Sequence, residues 1–275
     1  MSNQFSTEVL DINGIRVFKT QVDDIPIIYM EPGIAVKERK LAIFLTGLGG
    51  TKESLVPYLK DISDRGYVAL AFDKYQHGER GKPHENIVDR VFSNMRRYGW
   101  VVLGQTVLDT ERIIDWAVDT LGVVHEIYMG GISMGGDIAI SVAGIDSRLV
   151  SIAPITTTPD WMRPGMHEIS NPSRLMNPGE PDAYSQFFYD QLNPITNLKR
   201  YIDCPSMYVT QGREDTHIPP ENMERFKFEL ANLSPQAAQR IKIVYVPGPK
   251  ADHGDVFRRK DEWWEEMLNG WLGKI

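Results

Sequence analysis

A serine flanked by glycines lies near the middle of the 275-residue sequence. The motif Gly131-Ile132-Ser133-Met134-Gly135 follows a predicted strand and opens a predicted helix. A strand-to-helix turn this sharp needs small residues on both sides of the central residue, because larger side chains would collide there. The hydroxyl then projects from the carboxyl end of the strand, beside a helix N-terminus that favours developing negative charge. The pattern predicts that Ser133 is a nucleophile.

A serine nucleophile needs a base, and the base needs a carboxylate that orients it. Asp215 lies in a loop after the fifth predicted strand of the alternating region, and His253 in a loop after the sixth. Loops at the carboxyl ends of neighbouring parallel strands meet at one rim of a sheet, so both side chains can reach Ser133. Glu214, adjacent to Asp215, and Asp252, adjacent to His253, are the alternative carboxylates.

Other histidines compete with His253 for the role of the base. They are His77, His84, His125, His167 and His217. His217 lies two residues after Asp215, where a role in a surface loop is the expectation. His77 is expected to be a structural loop residue that hydrogen-bonds to backbone. His253 therefore remains the predicted base.

The elements that would position these residues alternate along the chain. Residues 7–18 contain two alternating runs around Asn13-Gly14, which predicts a β-hairpin. Further strands are predicted at residues 25–30, 41–45, 67–72, 126–129, 149–155, 205–210 and 241–246. Helices are predicted at residues 52–65, 100–121, 134–143, 222–231 and 255–272. This alternation predicts an α/β fold with a mostly parallel central sheet and helices on both faces.

One interval, residues 156–198, breaks the alternation. It contains six prolines together with aromatic residues and methionines, and it is too long for a plain connection and too apolar for a disordered linker. We predict that it is a small lid inserted into a single domain of residues 1–275. Trp161, Phe187 and Phe188 are the predicted substrate-binding residues, with packing inside the lid as the alternative.

Composition restricts the class of protein. Hydrophobic residues make up 42% and charged residues 24% of the chain, which is typical of a globular protein. The formal charge of −7 disfavours binding to nucleic acid. No apolar run approaches the ~18 residues of a membrane span, and the N-terminus does not resemble a secretory signal. The single cysteine, Cys204, excludes an internal disulfide. We therefore expect a cytoplasmic protein without nucleic-acid or membrane partners.

A cofactor and a metal are not expected. The turn Gly47-Leu48-Gly49-Gly50 follows a strand, but the dinucleotide motif Gly-x-Gly-x-x-Gly would require glycine at position 52, which is Lys52. The Gly-Lys-Ser/Thr sequence of a phosphate-binding loop does not occur. The histidines are scattered, and no His-Glu-x-x-His motif is present.

Several segments of the chain resemble those of the α/β-hydrolases, close to the esterase, dienelactone-hydrolase-like and prolyl-oligopeptidase-like branches. They are Phe44-Leu45-Thr46-Gly47-Leu48-Gly49-Gly50, Asp73 through Gly78, Gly131 through Gly135, Gly212 through Pro219 and His253-Gly254. The resemblance implies the α/β-hydrolase fold, with Ser133 as the nucleophile, Asp215 as the acid and His253 as the base. It also implies an oxyanion hole formed by the backbone N–H groups of Leu48 and Met134.

The function that this resemblance implies is hydrolysis of a small-molecule carboxylic ester through an acyl-enzyme, without a cofactor. A peptidase or amidase with the same three residues, and a non-catalytic protein that binds a ligand in the same pocket, are the alternatives. The chain departs from the family where Thr46-Gly47 replaces His-Gly and where Tyr75-Gln76-His77-Gly78 replaces Arg-Gly-His-Gly. Because the implied oxyanion donor is a backbone group, Thr46 should not remove it, although the turn can be held differently.

Overall fold

A computed structural model describes residues 7–246 and 252–273, and a nine-stranded sheet forms its centre. The strands are β1 (Glu8–Ile12), β2 (Ile15–Val22), β3 (Ile25–Met30), β4 (Lys40–Leu45), β5 (Tyr67–Phe72), β6 (Ile127–Ile132), β7 (Leu149–Ile155), β8 (His167–Glu168), β9 (Asn171–Leu175), β10 (Ser206–Gln211) and β11 (Ile241–Tyr245). The central sheet has the order β1-β2-β3-β5-β4-β6-β7-β10-β11. Six neighbouring strands of it are parallel: β5, β4, β6, β7, β10 and β11. β8 and β9 form a separate antiparallel pair.

Helices connect the strands and pack on the two faces of the sheet. They are α1 (Val56–Ser63), α2 (Ile87–Ser93), α3 (Trp100–Trp116), α4 (Met134–Ala143), α5 (Ala183–Leu192), α6 (Glu221–Leu233), α7 (Pro235–Gln239), α8 (His253–Arg258) and α9 (Lys260–Leu272). A 3-10 turn, Lys52–Leu55, precedes α1, and a π-helical turn, Ala117–Leu121, extends α3. The predicted mostly parallel sheet with helices on both faces is confirmed.

The sheet separates two hydrophobic cores, and β4 shows how the sequence supplies both. Leu41, Ile43 and Leu45 pack into the core under α3, α4 and α6. Ala42 and Phe44, which alternate with them, pack into the core under α1 and α9. Successive side chains of a strand point to opposite faces, so a strand covered on both faces must be apolar throughout. Burial of each large side chain contributes about 1.5–3 kcal/mol.

The predicted N-terminal hairpin is formed by β1 and β2. Asn13 and Gly14 occupy its turn with φ angles of 56° and 80°, the left-handed pair that a two-residue hairpin requires. Asp11 Oδ1 accepts a hydrogen bond from the Gly14 N–H at 2.8 Å and closes the turn.

Several element boundaries differ from the prediction, among them those of β6 and of the closing helix. β6 continues past residue 129 to Ile132, and at Gly130 Phe44 and Trp271 occupy the space that a Cβ atom would need. The predicted closing helix is two helices, α8 and α9, divided at Arg259, whose backbone is not helical. α8 begins at His253, where Asp252 and Asp255 form a capping box.

Residues 156–198 contain the β8–β9 pair and α5, and α5 packs against α3. Phe188 occupies the space beside Gly104, and the Tyr189 ring stacks on Trp100 with 4.3 Å between centroids. Within the part of the chain that the structure describes, no helix combines the length and the hydrophobicity needed to cross a bilayer.

Candidate active site

Ser133 lies in a strained turn between β6 and α4. Its φ and ψ angles are 52° and −118°, which a residue with a side chain adopts only at a cost of about 1–3 kcal/mol. The Ser133 N–H donates to the carbonyl oxygen of Ile155 on β7 at 2.8 Å and holds the turn against the sheet. Such strain is typical of functional positions, and here it places the serine immediately before the N-terminus of α4.

The glycines on both sides of Ser133 are required by packing. A Cβ atom at Gly131 would lie 2.5 Å from the carbonyl carbon of Gly135. A Cβ atom at Gly135 would lie 2.7 Å from the carbonyl carbon of Leu45. Both neighbours are backbone atoms that cannot move aside, so the close approach of β6, α4 and β4 depends on these two glycines.

Asp215 and His253 form a hydrogen-bonded pair at the same rim of the sheet. His253 Nδ1 lies 2.8 Å from Asp215 Oδ2, and Asp215 Oδ1 accepts the N–H groups of His217 at 2.9 Å and Ile218 at 2.8 Å. Because the carboxylate only accepts, the neutral imidazole carries its hydrogen on Nδ1 and leaves Nε2 as a proton acceptor. Of the carboxylates considered for this role, Asp215 contacts His253, whereas Asp252 is exposed and caps α8.

Thr156 is a site residue that sequence reasoning missed. It directly follows β7, is fully buried and adopts a φ angle of 45°. Its hydroxyl donates to Asp215 Oδ2 at 2.5 Å, and its Oγ1 lies 3.1 Å from His253 Nδ1. Its position at the carboxyl end of β7 was the signal that could have identified it, since Ser133 and Asp215 also follow strand ends.

The turn after β4 and the first residue of α4 each supply one candidate oxyanion donor beside Ser133. The backbone N–H groups of Leu48 and Met134 have no acceptor among the described residues, and both residues line the same cavity as Ser133. Gly47 comes close to the serine, since a Cβ atom at Gly47 would lie 3.4 Å from the Ser133 Cβ. Free N–H groups in a partly enclosed site can stabilise a developing oxyanion.

The buried Lys74 and the Thr46 hydroxyl hold this turn together. Thr46 Oγ1 donates to the Gly50 carbonyl oxygen at 3.0 Å and accepts from Lys74 Nζ at 2.5 Å. Lys74 also donates to the Gly50 carbonyl oxygen at 3.3 Å. Burial lowers the pKa of Lys74 to about 7, only partly opposed by the charge of Asp73.

The lowered pKa of Lys74 predicts that stability rises with pH. Between pH 7 and the ordinary lysine pKa of 10.5 the unfolded chain binds the extra proton, so raising the pH favours the folded state. We expect the difference in free energy of unfolding, wild type minus Lys74→Met, to increase by up to about 1.4 kcal/mol for each pH unit across this window. Urea unfolding of both proteins from pH 7 to 10 measures the difference, and parallel curves would contradict the prediction.

A cavity of about 470 Å³ brings the predicted site residues together. Ser133, His253, Leu48 and Met134 line it, and Asp215 lies behind His253. Much of the wall is apolar and includes Leu55, Val88, Phe92, Met95, Met166 and Phe257. The hydrogen bonds of the described residues do not include one between Ser133 Oγ and His253, a contact that often tightens only when substrate binds.

The three predicted substrate-binding residues lie outside the lining of this cavity. Trp161 is buried, and its carbonyl oxygen accepts a hydrogen bond from Trp100 Nε1 at 2.9 Å. Phe188 is buried against α3, whereas Phe187 is 58% exposed. Residues 156–198 contribute Arg163, Met166 and Ile169 to the cavity instead.

The expectation that His217 lies in a surface loop is wrong. The side chain is only 8% exposed and lines the cavity beside His253. The loop from Asp215 folds back under the β8–β9 pair, where the His217 ring packs against Phe92. His77 is buried and its Nδ1 lies 2.9 Å from the Tyr75 carbonyl oxygen, in agreement with the expected structural role. No group of three His, Cys, Asp or Glu side chains within residues 7–246 and 252–273 is arranged to hold a metal ion.

The class of protein follows from this arrangement. A mostly parallel sheet carries a Gly-x-Ser-x-Gly turn after one strand, and a carboxylate and a histidine follow later strands at the same rim. The chain has the α/β-hydrolase fold. No protein-family model matches the sequence.

Individual relatives agree with that class. The proposed esterase YitV of Bacillus subtilis (strain 168) is 21% identical over 244 residues, which cover 86% of this chain and 78% of YitV. The solved structure of a proposed dienelactone hydrolase from Klebsiella pneumoniae subsp. pneumoniae MGH 78578 has a TM-score of 0.63 and 18% identity, over 99% of this chain and 100% of that one. The Pyrococcus furiosus esterase Pf2001 has a TM-score of 0.61 and 17% identity, over 98% and 93%. The predicted resemblance is confirmed by these similarities.

Proposed function

We propose that this protein hydrolyses carboxylic esters through an acyl-enzyme formed on Ser133. The observation that carries the proposal is that the strained Ser133 and the His253–Asp215 pair open on one cavity with free backbone N–H groups. The similarity to esterases supports the same reaction class. The largely apolar wall favours an apolar acyl group.

In the proposed reaction Ser133 Oγ attacks the ester carbonyl carbon while His253 Nε2 takes the hydroxyl proton. Asp215 keeps the histidine in the required tautomer and stabilises the imidazolium that forms. The Leu48 and Met134 N–H groups stabilise the oxyanion, each by about 3–4 kcal/mol. Collapse of the intermediate breaks the bond to the alcohol oxygen, which receives the proton from His253.

The second half of the reaction regenerates the enzyme. Water gives a proton to His253 Nε2 while its oxygen attacks the acyl carbon. The new tetrahedral intermediate collapses by breaking the bond to Ser133 Oγ, which receives that proton from His253, and the acid is released. Thr156 supports this cycle indirectly, because its hydroxyl bonds the same carboxylate oxygen that holds His253. It is therefore a positioning residue.

A fluorophosphonate probe tests the proposal, because it reacts only with an activated serine. We expect one label per chain, located on Ser133 by peptide mass spectrometry, with parallel loss of p-nitrophenyl butyrate hydrolysis. Hydrolysis that persists after complete labelling would contradict the assignment. A protein that neither takes the label nor hydrolyses esters would favour the non-catalytic alternative.

Comparison of p-nitrophenyl butyrate with the p-nitroanilide of the same acid separates an esterase from an amidase, because only the leaving atom differs. We expect hydrolysis of the ester alone at comparable enzyme concentration.

A further inference from the structure

His217 lies where the catalytic cavity meets a second cavity. The second cavity has a volume of about 680 Å³ and shares His217, Phe92 and Ile169 with the first. Its wall is more polar, with Ser93, Glu168, Arg174 and Asn177 among its residues. The junction therefore separates a mainly apolar space from a polar one.

The hydrogen bonds of His217 determine which ring nitrogen can meet a ligand. Nδ1 lies 2.8 Å from the carbonyl oxygen of His167, which can only accept, so Nδ1 carries the hydrogen. No hydrogen bond of the described residues involves Nε2, and this atom keeps some exposure to solvent. Burial, followed by the nearby charge of His253, lowers the pKa of His217 to about 4, so the ring is neutral at pH 7. Nε2 is therefore a hydrogen-bond acceptor at the junction of the two cavities.

The position of His217 relative to His253 indicates which part of a substrate it would meet. The two rings pack edge to face with 4.9 Å between their centroids. In ester hydrolysis His253 passes its proton to the leaving alcohol, so the alcohol oxygen must lie within hydrogen-bond reach of that ring. An alcohol part that extends from this oxygen past His217 would enter the second cavity, which leaves the apolar space for the acyl part.

We propose that His217 Nε2 accepts a hydrogen bond from a hydroxyl group on the alcohol part of the substrate, which makes monoesters of hydroxylated alcohols the preferred substrates. This inference rests on the proposed ester hydrolysis at Ser133. The backbone N–H of His217 donates to Asp215, and the His217 side chain contacts the alcohol part of the substrate in this proposal. One residue then contributes both to the orientation of the catalytic pair and to substrate preference.

A matched pair of esters tests the proposal. 2-Hydroxyethyl butanoate carries a hydroxyl group where propyl butanoate carries a methyl group, and the two esters are otherwise the same. The ratio of their kcat/KM values is divided by the ratio of their alkaline hydrolysis rates, which corrects it for intrinsic reactivity. We expect the wild type to show a corrected kcat/KM about 10- to 100-fold higher for the hydroxyl ester, because the propyl ester leaves a desolvated acceptor without a donor. Equal corrected values would overturn the proposal.

Variants assign the preference to the His217 side chain. His217→Phe keeps an aromatic ring but removes the acceptor, and it should reduce the ratio to about one, whereas His217→Gln, which keeps an acceptor oxygen, should retain part of it. Ile169→Val, at the same junction, should retain the full ratio, because the Ile169 side chain offers no acceptor. A structural role of His217 would lower kcat/KM for both esters equally, so an unchanged ratio in His217→Phe would overturn the proposal.

The outcomes also separate this inference from the proposed function. If Ser133 takes the fluorophosphonate label and both esters are hydrolysed without preference, the hydroxyl preference alone is wrong. If neither ester is hydrolysed and Ser133 takes no label, both proposals are wrong.

Discussion

Ser133→Ala is expected to lower kcat/KM for p-nitrophenyl butyrate by about 10⁴-fold or more, because it removes the hydroxyl that forms the acyl-enzyme in the proposed reaction. The remaining rate would come from binding and from the N–H groups of Leu48 and Met134. Alanine has the same Cβ as serine, so the strained turn and its hydrogen bond to Ile155 should persist. Circular dichroism and the unfolding midpoint check that the variant is folded.

Ser206→Ala is the matched control for this substitution. Ser206 lies at the start of β10, at the opposite end of the sheet from the candidate site, and its hydroxyl bonds Ser151 at 3.0 Å. We expect its kcat/KM to equal that of the wild type. Ester hydrolysis that survives in a folded Ser133→Ala protein would show that Ser133 is not the nucleophile.

Asp215→Asn is expected to lower kcat by about 10⁴-fold with little change in KM, because it forces the wrong histidine tautomer. The N–H groups of His217 and Ile218 both donate to Oδ1, so the amide oxygen of asparagine must occupy that position. The amide NH₂ then faces His253 Nδ1, which has to become the acceptor, and the imidazole hydrogen moves to Nε2. A histidine in that form cannot take the proton of Ser133.

Asp252→Asn gives the comparison for Asp215→Asn, since Asp252 is the alternative carboxylate directly before the histidine in sequence. It caps α8 by accepting the Asp255 N–H at 2.8 Å, and asparagine caps a helix about as well. We expect its kcat within about two-fold of the wild type. The opposite result, with Asp252→Asn inactive and Asp215→Asn active, would exchange the roles of the two residues.

Some structural features around the candidate site can be recognised from the sequence. Small residues around Ser133 can be recognised because the close approach of β6, α4 and β4 excludes a Cβ atom at Gly131 and Gly135, which is a local constraint. The apolar strand β4 can be recognised because both of its faces are covered. Asp215 could be placed at the correct rim, but its preference over Glu214 rested on the resemblance alone.

Other parts of the site depend on contacts between residues far apart in the chain. Thr156 bonds Asp215 across 59 positions, and Lys74 supports Thr46 across 28 positions. The end of β7 marks the position of Thr156 in the sequence, but the neighbouring residues do not indicate which side chains Thr156 and Lys74 bond. Trp161 and Phe188 show the same limit of sequence reasoning. Both are apolar enough for either a pocket wall or a core, and only their contacts with α3 show that they lie in the core.

The sequence by itself determined the alternation of strands and helices, the turn that presents Ser133 and the order of the serine, carboxylate and histidine. These features depend on residue types at short spacing, where sterics and periodicity act within a few residues. Only the tertiary structure decided which side chains surround the cavity and that His217 joins two cavities. Those relations arise when residues 156–198 and the loop from Asp215 pack together, and the packing depends on three-dimensional shape that local spacing does not encode.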